Sequence, residues 1–369
     1  MNLELTDEQL ALRDTVRRFL AEKASVRAHV RLMLDDPQGT TDEVWRGLAG
    51  LGAAGVLVAP EYGGAGMAMV EAGVVAEEVG AALYPGPWLS TAVAATRALA
   101  RVSADANAAT LLAGIADGST IATVGPLSGP RPAAVQADRD MIVRGQLAAL
   151  PDAAAADVLL VFAEDRGGTG LYALDATSAG VGVTARPHVD PTRKLFDVEL
   201  DNVPARRLAS APEDAVQAVV DDVLIASAAD ALGAARALMD LAVEYAKVRR
   251  QFDKPIGSFQ AVQHLCVDMY ETVELARGGV IHALWAADTA DSAERHLAAL
   301  RAKAFAGRLV SVGDTAIQVF GGIGFTWEHD AHLYLKRLLN FSVFLGGPDD
   351  YLEKVGATLV SQFDRKGRG

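Results

Sequence analysis

Residues 249–264 read Arg-Arg-Gln-Phe-Asp-Lys-Pro-Ile-Gly-Ser-Phe-Gln-Ala-Val-Gln-His, and they lie between two long helical patterns. The first runs from Asp214 to Val248. The second reaches about Ala290, with Ser258 placed to cap it. Pro255-Ile256-Gly257 makes the connection a turn, so the chain reverses there. A connection that only reverses direction has no use for Arg249, Arg250, Gln251, Lys254 and Gln260 so close together. A guanidinium matches the oxygens of a phosphate and keeps its charge. The plainer alternative is an arginine placed favourably at a helix C-terminus.

A second turn, Gln318-Val319-Phe320-Gly321-Gly322-Ile323-Gly324-Phe325-Thr326-Trp327-Glu328, ends a helical pattern that begins at roughly Ser292. Paired glycines allow positive φ and close approach to the backbone. They serve equally as a helix C-cap.

The rest of the chain changes character twice. Up to about residue 117 it reads as helical, with Thr6-Asp7-Glu8-Gln9 as an N-terminal cap and Met69 to Val79 as a later helix. Pro60-Glu61-Tyr62-Gly63-Gly64-Ala65-Gly66 reads as a loop joining helices or as a ligand contact. From about 119 to 208 short apolar runs appear, including Val158-Leu159-Leu160-Val161-Phe162 and Phe196-Asp197-Val198-Glu199-Leu200. They predict an antiparallel barrel or sandwich, the last run with one wet face. From about 212 helices return, ending with His329 to Asn340 and Asp349 to Phe363.

A chain of 369 residues with 51% hydrophobic composition holds two or three domains and a large core. Its net charge of −13 argues against nonspecific nucleic-acid binding. No apolar run is long enough for a membrane span. Met1-Asn2-Leu3-Glu4-Leu5-Thr6-Asp7 has no signal-peptide pattern, and the lone Cys266 fits a reducing cytoplasm. No metal site is expected, since Glu328, His329 and Asp330 make no complete ligand set.

In this order, the two turns resemble the acyl-CoA dehydrogenase family. The resemblance covers nearly the whole chain and is strongest from about Gly233 onward. It implies an α+β fold: an N-terminal helical domain over 1–117, a middle antiparallel β domain over 118–208 and a C-terminal four-helix bundle over 209–369. It also implies FAD as cofactor, an acyl-CoA thioester as substrate and an electron-transfer flavoprotein as electron acceptor. The family's contacts to the adenine and pyrophosphate end of FAD fall here on Arg249, Gln251, Phe252, Ile256, Phe259 and Gln260, and on Gln318, Gly321 and Gly322. In the family these residues reach across to a flavin bound mainly by a neighbouring subunit. Asp253 stands where a glycine is common, and its carboxylate would repel a pyrophosphate unless turned away or paired with Lys254.

The family's catalytic residues do not carry over. A glutamate removes the α-proton, and the β-hydrogen leaves as hydride to flavin N5. In many members that glutamate sits in a Tyr-Glu-Gly-Thr segment; the matching place here is Leu345, within Phe344-Leu345-Gly346-Gly347. Other members carry it on the long helix before the arginine turn, where this chain has Val223. Asp222 points about 100° away on a helix. Asp230, two turns on along the face of Val223, is the fallback base or else a buried polar residue. The family's Leu-Thr-Glu-Pro-like loop is replaced by Thr123-Val124-Gly125-Pro126-Leu127-Ser128-Gly129-Pro130, and its Trp-Ile-Thr segment by Leu147-Ala148-Ala149-Leu150-Pro151-Asp152. The half of the flavin site offered to a neighbour is kept, and the half that holds a chain's own isoalloxazine is eroded. That resembles the shorter subunit of bacterial α2β2 acyl-CoA dehydrogenases acting on steroid side-chain and other bulky thioesters. The alternatives are a self-sufficient homo-oligomer with an unusual base and a structural subunit without flavin.

Overall fold

The computed structural model describes residues 4–102, 106–137 and 140–366, with backbone alone at 106, 107, 137, 140 and 362–366. The signal-peptide reading at Met1-Asn2-Leu3 lies outside the described residues. The chain divides into two compact units. One comprises the segment up to Leu20, Gly73–Tyr84 and everything from Leu224 on; the other comprises Ala21–Ala72 and Pro85–Val223.

The second unit begins with α2 (Asp42–Gly50), whose N-cap Thr41 accepts from the Val44 amide. It also holds α4 (Thr96–Val102) and α5 (Ala106–Asp117), preceded by a π-helical stretch at Leu89–Ala95. Two buried indoles fasten this part: Trp45 Nε1 donates to Gly118 O and Trp88 Nε1 to Ala53 O, both at 2.9 Å. The Gly63–Gly66 cluster folds back on the preceding segment, with Gly66 N on Val58 O at 2.8 Å. A Cβ at Gly64 would collide with Val58. Close backbone approach within the chain therefore accounts for that glycine, as the joining-loop reading expects.

The strands are β1 (Ala122–Gly125), β2 (Ala133–Ala137), β3 (Asp140–Pro151), β4 (Val158–Asp165), β5 (Gly168–Asp175), β6 (Val181–Ala185) and β7 (Leu195–Ser210). Their pairing runs β4-β2-β3-β7-β5 and returns to β4, closing a barrel, with β1 beside β4 and β6 beside β7. The expectation of antiparallel pairing needs one correction: β1 and β2 each run parallel to β4. The β2–β3 hairpin lies between them in sequence, so the chain enters β4 in the direction it had in β1. In β7, Phe196, Val198 and Leu200 are buried while Asp197 and Glu199 face outward, the wet face expected from the alternation.

The first unit is helical: α1 (Asp7–Lys23) as far as Leu20, α3 (Met69–Ala81) from Gly73, α6 (Glu213–Val248) from Leu224, and α7 (Gln260–Thr289), α8 (Ser292–Ala306), α9 (Val310–Phe320), α10 (Ala331–Val343) and α11 (Pro348–Lys366). Thr6 and Gln9 cap α1 reciprocally, amide to side chain in both directions. Two expectations are corrected. Ser258 does not cap α7; its hydroxyl donates to Pro255 O, and Phe259 occupies the cap position. The helix expected from Ser292 to Phe320 is broken by a tight turn at Gly307–Leu309. Gly307 lies against Pro348 there, too close for a longer side chain.

α3 and α6 meet backbone to backbone. A Cβ on Gly80 would land on the Asp230 carbonyl, and one on Gly233 would land on the Glu77 carbonyl. The backbones touch because neither glycine has a side chain. Around this crossing Arg236 donates to Glu77 at 3.0 Å and to Glu78 at 3.1 Å, and Arg17 donates to Glu78 at 2.8 Å. Glu78 is 3% exposed, so its charge is held by two guanidinium groups instead of water. Gly233→Ala is expected to force the helices apart and destabilise the protein by about 1–3 kcal/mol, the usual cost of overpacking. Urea unfolding checks this; an unchanged midpoint would contradict the crossing.

Candidate functional site

The arginine turn is a short hairpin. The Arg249 amide still donates to Tyr245 O at 2.8 Å, so α6 winds up to it. β8 (Arg250–Gln251) then pairs with β9 (Lys254–Pro255), and the Ile256 amide returns to Arg249 O at 2.8 Å. The two connecting residues both have positive φ, 52° at Phe252 and 64° at Asp253. A two-residue hairpin turn demands this because its twist must match that of the strands. The geometry explains the family's glycine at the place of Asp253, and aspartate is among the residues that tolerate it. No ion pair forms to Asp253 among the described residues. Lys254 lies over the Phe259 ring at 4.3 Å, and Arg250 donates to the Asp253 carbonyl.

The side chains of this hairpin face outward. Phe252 is 86% exposed, with only the edge of Phe259 near it at 6.0 Å between centroids. Arg249 and Gln260 are exposed, and the Arg249 guanidinium has no ion pair or hydrogen bond among the described residues. Gln251 donates to Arg250 O. Ile256 and Phe259 are half-buried and form the base of the turn.

The glycine pair ends α9. Gly321 has φ 66° and ψ −145°, a backbone shape that suits glycine. A Cβ at Gly321 or Gly322 would meet nothing within 4 Å. Crowding from this chain therefore does not explain Gly322, and the space beside both is open to a ligand. Gln318 is exposed, and with Asp314, Ile317, Gly321, Phe325 and Leu335 it lines a cleft of ≈ 200 Å³. Tyr245 and Phe320 meet at 5.0 Å between ring centroids. Tyr245 is one turn before Arg249, and Phe320 immediately precedes Gly321. The structure thus brings together the two turns that are far apart in sequence.

The expected proton-transfer groups are placed differently. Asp230 is 2% exposed, and its two carboxylate oxygens accept from Arg337 Nη1 at 3.0 and 3.1 Å. Arg337 Nη2 donates to Tyr84 O at 3.3 Å. The Asp230 carboxylate is thus committed to a buried ion pair. Asp222 is likewise buried and engaged, with Arg101 at 2.6 and 2.9 Å and Arg97 at 3.3 Å. Nothing in the sequence separates Arg337 from an ordinary solvated helix residue, so its pairing was not expected.

Leu345 is half-buried with φ 57°, in a turn held by Tyr351, whose hydroxyl donates to Leu345 O at 2.9 Å. The buried Lys303 ammonium donates to the last carbonyls of α10, Phe341 O and Ser342 O, and lies 4.2 Å over the Phe341 ring. Burial pulls this amine from its ordinary 10.5 down to about 7. Position 345 offers no carboxylate, and the cation nearby serves as a helix cap.

In the other unit, Leu147 and Leu150 are buried in the barrel core, and Ala149 has φ 53°. Asp152 is 6% exposed and accepts from Ser90 Oγ at 2.5 Å. An aromatic platform is absent from this segment. Ser128 is exposed, on a loop pinned by Arg131, which donates to Glu164 at 3.1 Å and Glu213 at 2.7 Å. Among the described residues no cluster of His, Cys, Asp and Glu is arranged to hold a metal ion, and no helix is long and apolar enough to cross a membrane.

Residues 6–119 match the family described as "Acyl-CoA dehydrogenase, N-terminal domain", and residues 220–358 match "Acyl-CoA dehydrogenase, C-terminal domain". The chain is 34% identical to Acyl-CoA dehydrogenase IpdE2 of Mycobacterium tuberculosis over 352 residues, 95% of this chain and 96% of that one. A solved Tcur3481-Tcur3483 steroid ACAD variant is 30% identical with a TM-score of 0.87, covering 97% of this chain and 99% of its own. The ChsE4-ChsE5 complex from Mycobacterium tuberculosis is 26% identical with a TM-score of 0.87, covering 98% and 99%.

Two outcomes follow from the buried ions. Asp230→Asn strands the Arg337 charge and is expected to cost about 3–5 kcal/mol, while Asp230→Leu combined with Arg337→Leu recovers most of it. Urea unfolding of the three proteins decides this, and an unchanged Asp230→Asn midpoint would contradict a structural pair. For Lys303, the folded state binds fewer protons than the unfolded state between pH 7 and 10.5. Stability is therefore expected to rise with pH across that window, and Lys303→Met to remove that rise. Equal slopes in the two proteins would show that Lys303 does not titrate in this way.

Proposed function

The chain belongs to the acyl-CoA dehydrogenase family of oxidoreductases, and on that premise we propose that it completes another subunit's FAD site in a heteromeric enzyme. The observation that carries this reading is the contrast between the two halves of the flavin site. Arg249, Phe252 and Gln260 are exposed beside glycines whose Cβ space is open, and nothing in the chain engages the Arg249 guanidinium among the described residues. The segments at 147–152 and 345 offer neither an aromatic platform nor a base.

The residues present suit the dinucleotide end of FAD. Arg249 would hold the pyrophosphate through its fork of donors. Phe252 and Phe259 would cover the adenosine, with Ile256 supporting the turn, while Gln251, Gln260 and Gln318 offer amide donors and acceptors. Gly321 and Gly322 admit backbone approach to the phosphates. The chemistry a bound FAD supplies in this family is acceptance of the substrate's β-hydrogen as hydride. This chain's part is to bind and orient; the α-proton goes to a carboxylate of the other subunit, since Leu345 cannot take it.

We take the substrate to be a bulky acyl-CoA thioester, supported by the steroid designation of one similar structure. The ChsE4-ChsE5 complex supports pairing of unlike chains. An electron-transfer flavoprotein as acceptor follows from the family, and the cytoplasm from the single thiol of Cys266. A homo-oligomer using Asp230 is disfavoured by the ion pair with Arg337. A flavin-free structural subunit is disfavoured by the exposed Arg249 and Phe252.

The test is the visible absorption spectrum, with flavin released and counted per chain. The chain purified alone is expected to carry no flavin. Co-purified with an acyl-CoA dehydrogenase chain that retains the Tyr-Glu-Gly-Thr glutamate, it is expected to give flavin in stoichiometric amount. Near one FAD per chain in the isolated protein would favour the homo-oligomer, and none in either preparation would favour the structural subunit.

A further inference from the structure

Three rings lie beneath the two segments assigned above to the shared site. Tyr245, in the last turn of α6, stands 5.0 Å from Phe320 at an interplanar angle of 49°. Phe320 is 4% exposed. The His329 ring also lies against Phe320, at 4.4 Å and 51°. His329 is itself fastened, because its Nδ1 accepts the amide of Ala331, the first residue of α10, at 3.1 Å. That bond fixes both the ring and the entry of the chain into α10.

The stack therefore joins the end of α6, the end of α9 and the start of α10. Arg249 donates its amide to the Tyr245 carbonyl at 2.8 Å, so the guanidinium's anchor moves with that ring. Gly321 follows Phe320 directly. We propose that Tyr245, Phe320 and His329 are positioning residues that set the spacing between the Arg249 guanidinium and the Gly321-Gly322 backbone. The inference rests on the shared-site reading, because that spacing matters only if one dinucleotide touches both. A phosphate clamp depends on separation, so a small shift of either side loosens it. Tilted ring pairs resist such shifts better than aliphatic contacts of the same volume, because their attraction depends on angle.

The test uses the heteromer loaded with FAD. The dissociation rate is read from the rise in flavin fluorescence on dilution, beside the melting temperature. Phe320→Leu and His329→Asn are each expected to speed FAD loss about ten-fold, as for one lost ring pair. His329→Phe keeps the ring but loses the bond to the Ala331 amide, and is expected to lose FAD more slowly than His329→Asn does. Should Phe320→Leu fail to fold, Tyr245→Leu breaks the same stack at a half-buried position. Arg249→Ala is the reference. If it leaves FAD retention unchanged, the shared-site reading itself fails. If it speeds loss while Phe320→Leu and His329→Asn do not, the positioning inference alone fails. FAD loss that only follows melting temperature across the set would also overturn it, since that is what core packing alone produces.

Discussion

The backbone contact between α3 and α6 governs the helical unit. Gly80 sits on the Asp230 carbonyl and Gly233 on that of Glu77, so the two helices approach as closely as their main chains allow. Charges then close around the crossing, with Arg236 on Glu77 and Glu78 and Arg17 on Glu78. Asp230 is turned to Arg337 within the same core. A long helix held this firmly near its middle can present its last turn at a defined place. That last turn carries Tyr245 and leads into Arg249, so the crossing and the arginine hairpin are mechanically linked.

The electrostatics of the hairpin run against those of the whole chain. Net charge is −13, yet Arg249, Arg250 and Lys254 are gathered within one short turn. Local charge outweighs the global sign for a ligand at contact distance, since screening removes most distant interactions within about 10 Å. Buried carboxylates in each unit serve structure. Asp222, Asp230 and Glu78 all face arginines. Among the described residues these three acids are committed to ion pairs, which agrees with the proposed division of labour between unlike subunits.

Legibility in the sequence tracked locality. The hairpin, the glycine pair and the α, then β, then α layout are encoded within short windows, and the structure has them. The positive φ at Asp253 even accounts for the family's usual glycine there. Features that depend on distant partners were not readable. Asp230 looked like a fallback base because its partner lies on α10. Ser258 has the chemistry of a cap, but the turn carries its hydroxyl to Pro255 O. The break at Gly307 is set by contact with Pro348. Parallel pairing of β1 with β4 depends on where the β2–β3 hairpin lies, which apolar alternation does not report.

The central claim is that this chain touches a flavin dinucleotide held by another subunit. Its most direct test is photolabelling of the heteromer with an FAD analogue that carries an azide on the adenine ring, followed by peptide mapping. The account predicts label on this chain within residues 249–260 or 318–325, and loss of that label when Arg249 is changed to alanine. Label confined to the other subunit, with this chain unmodified, would contradict it.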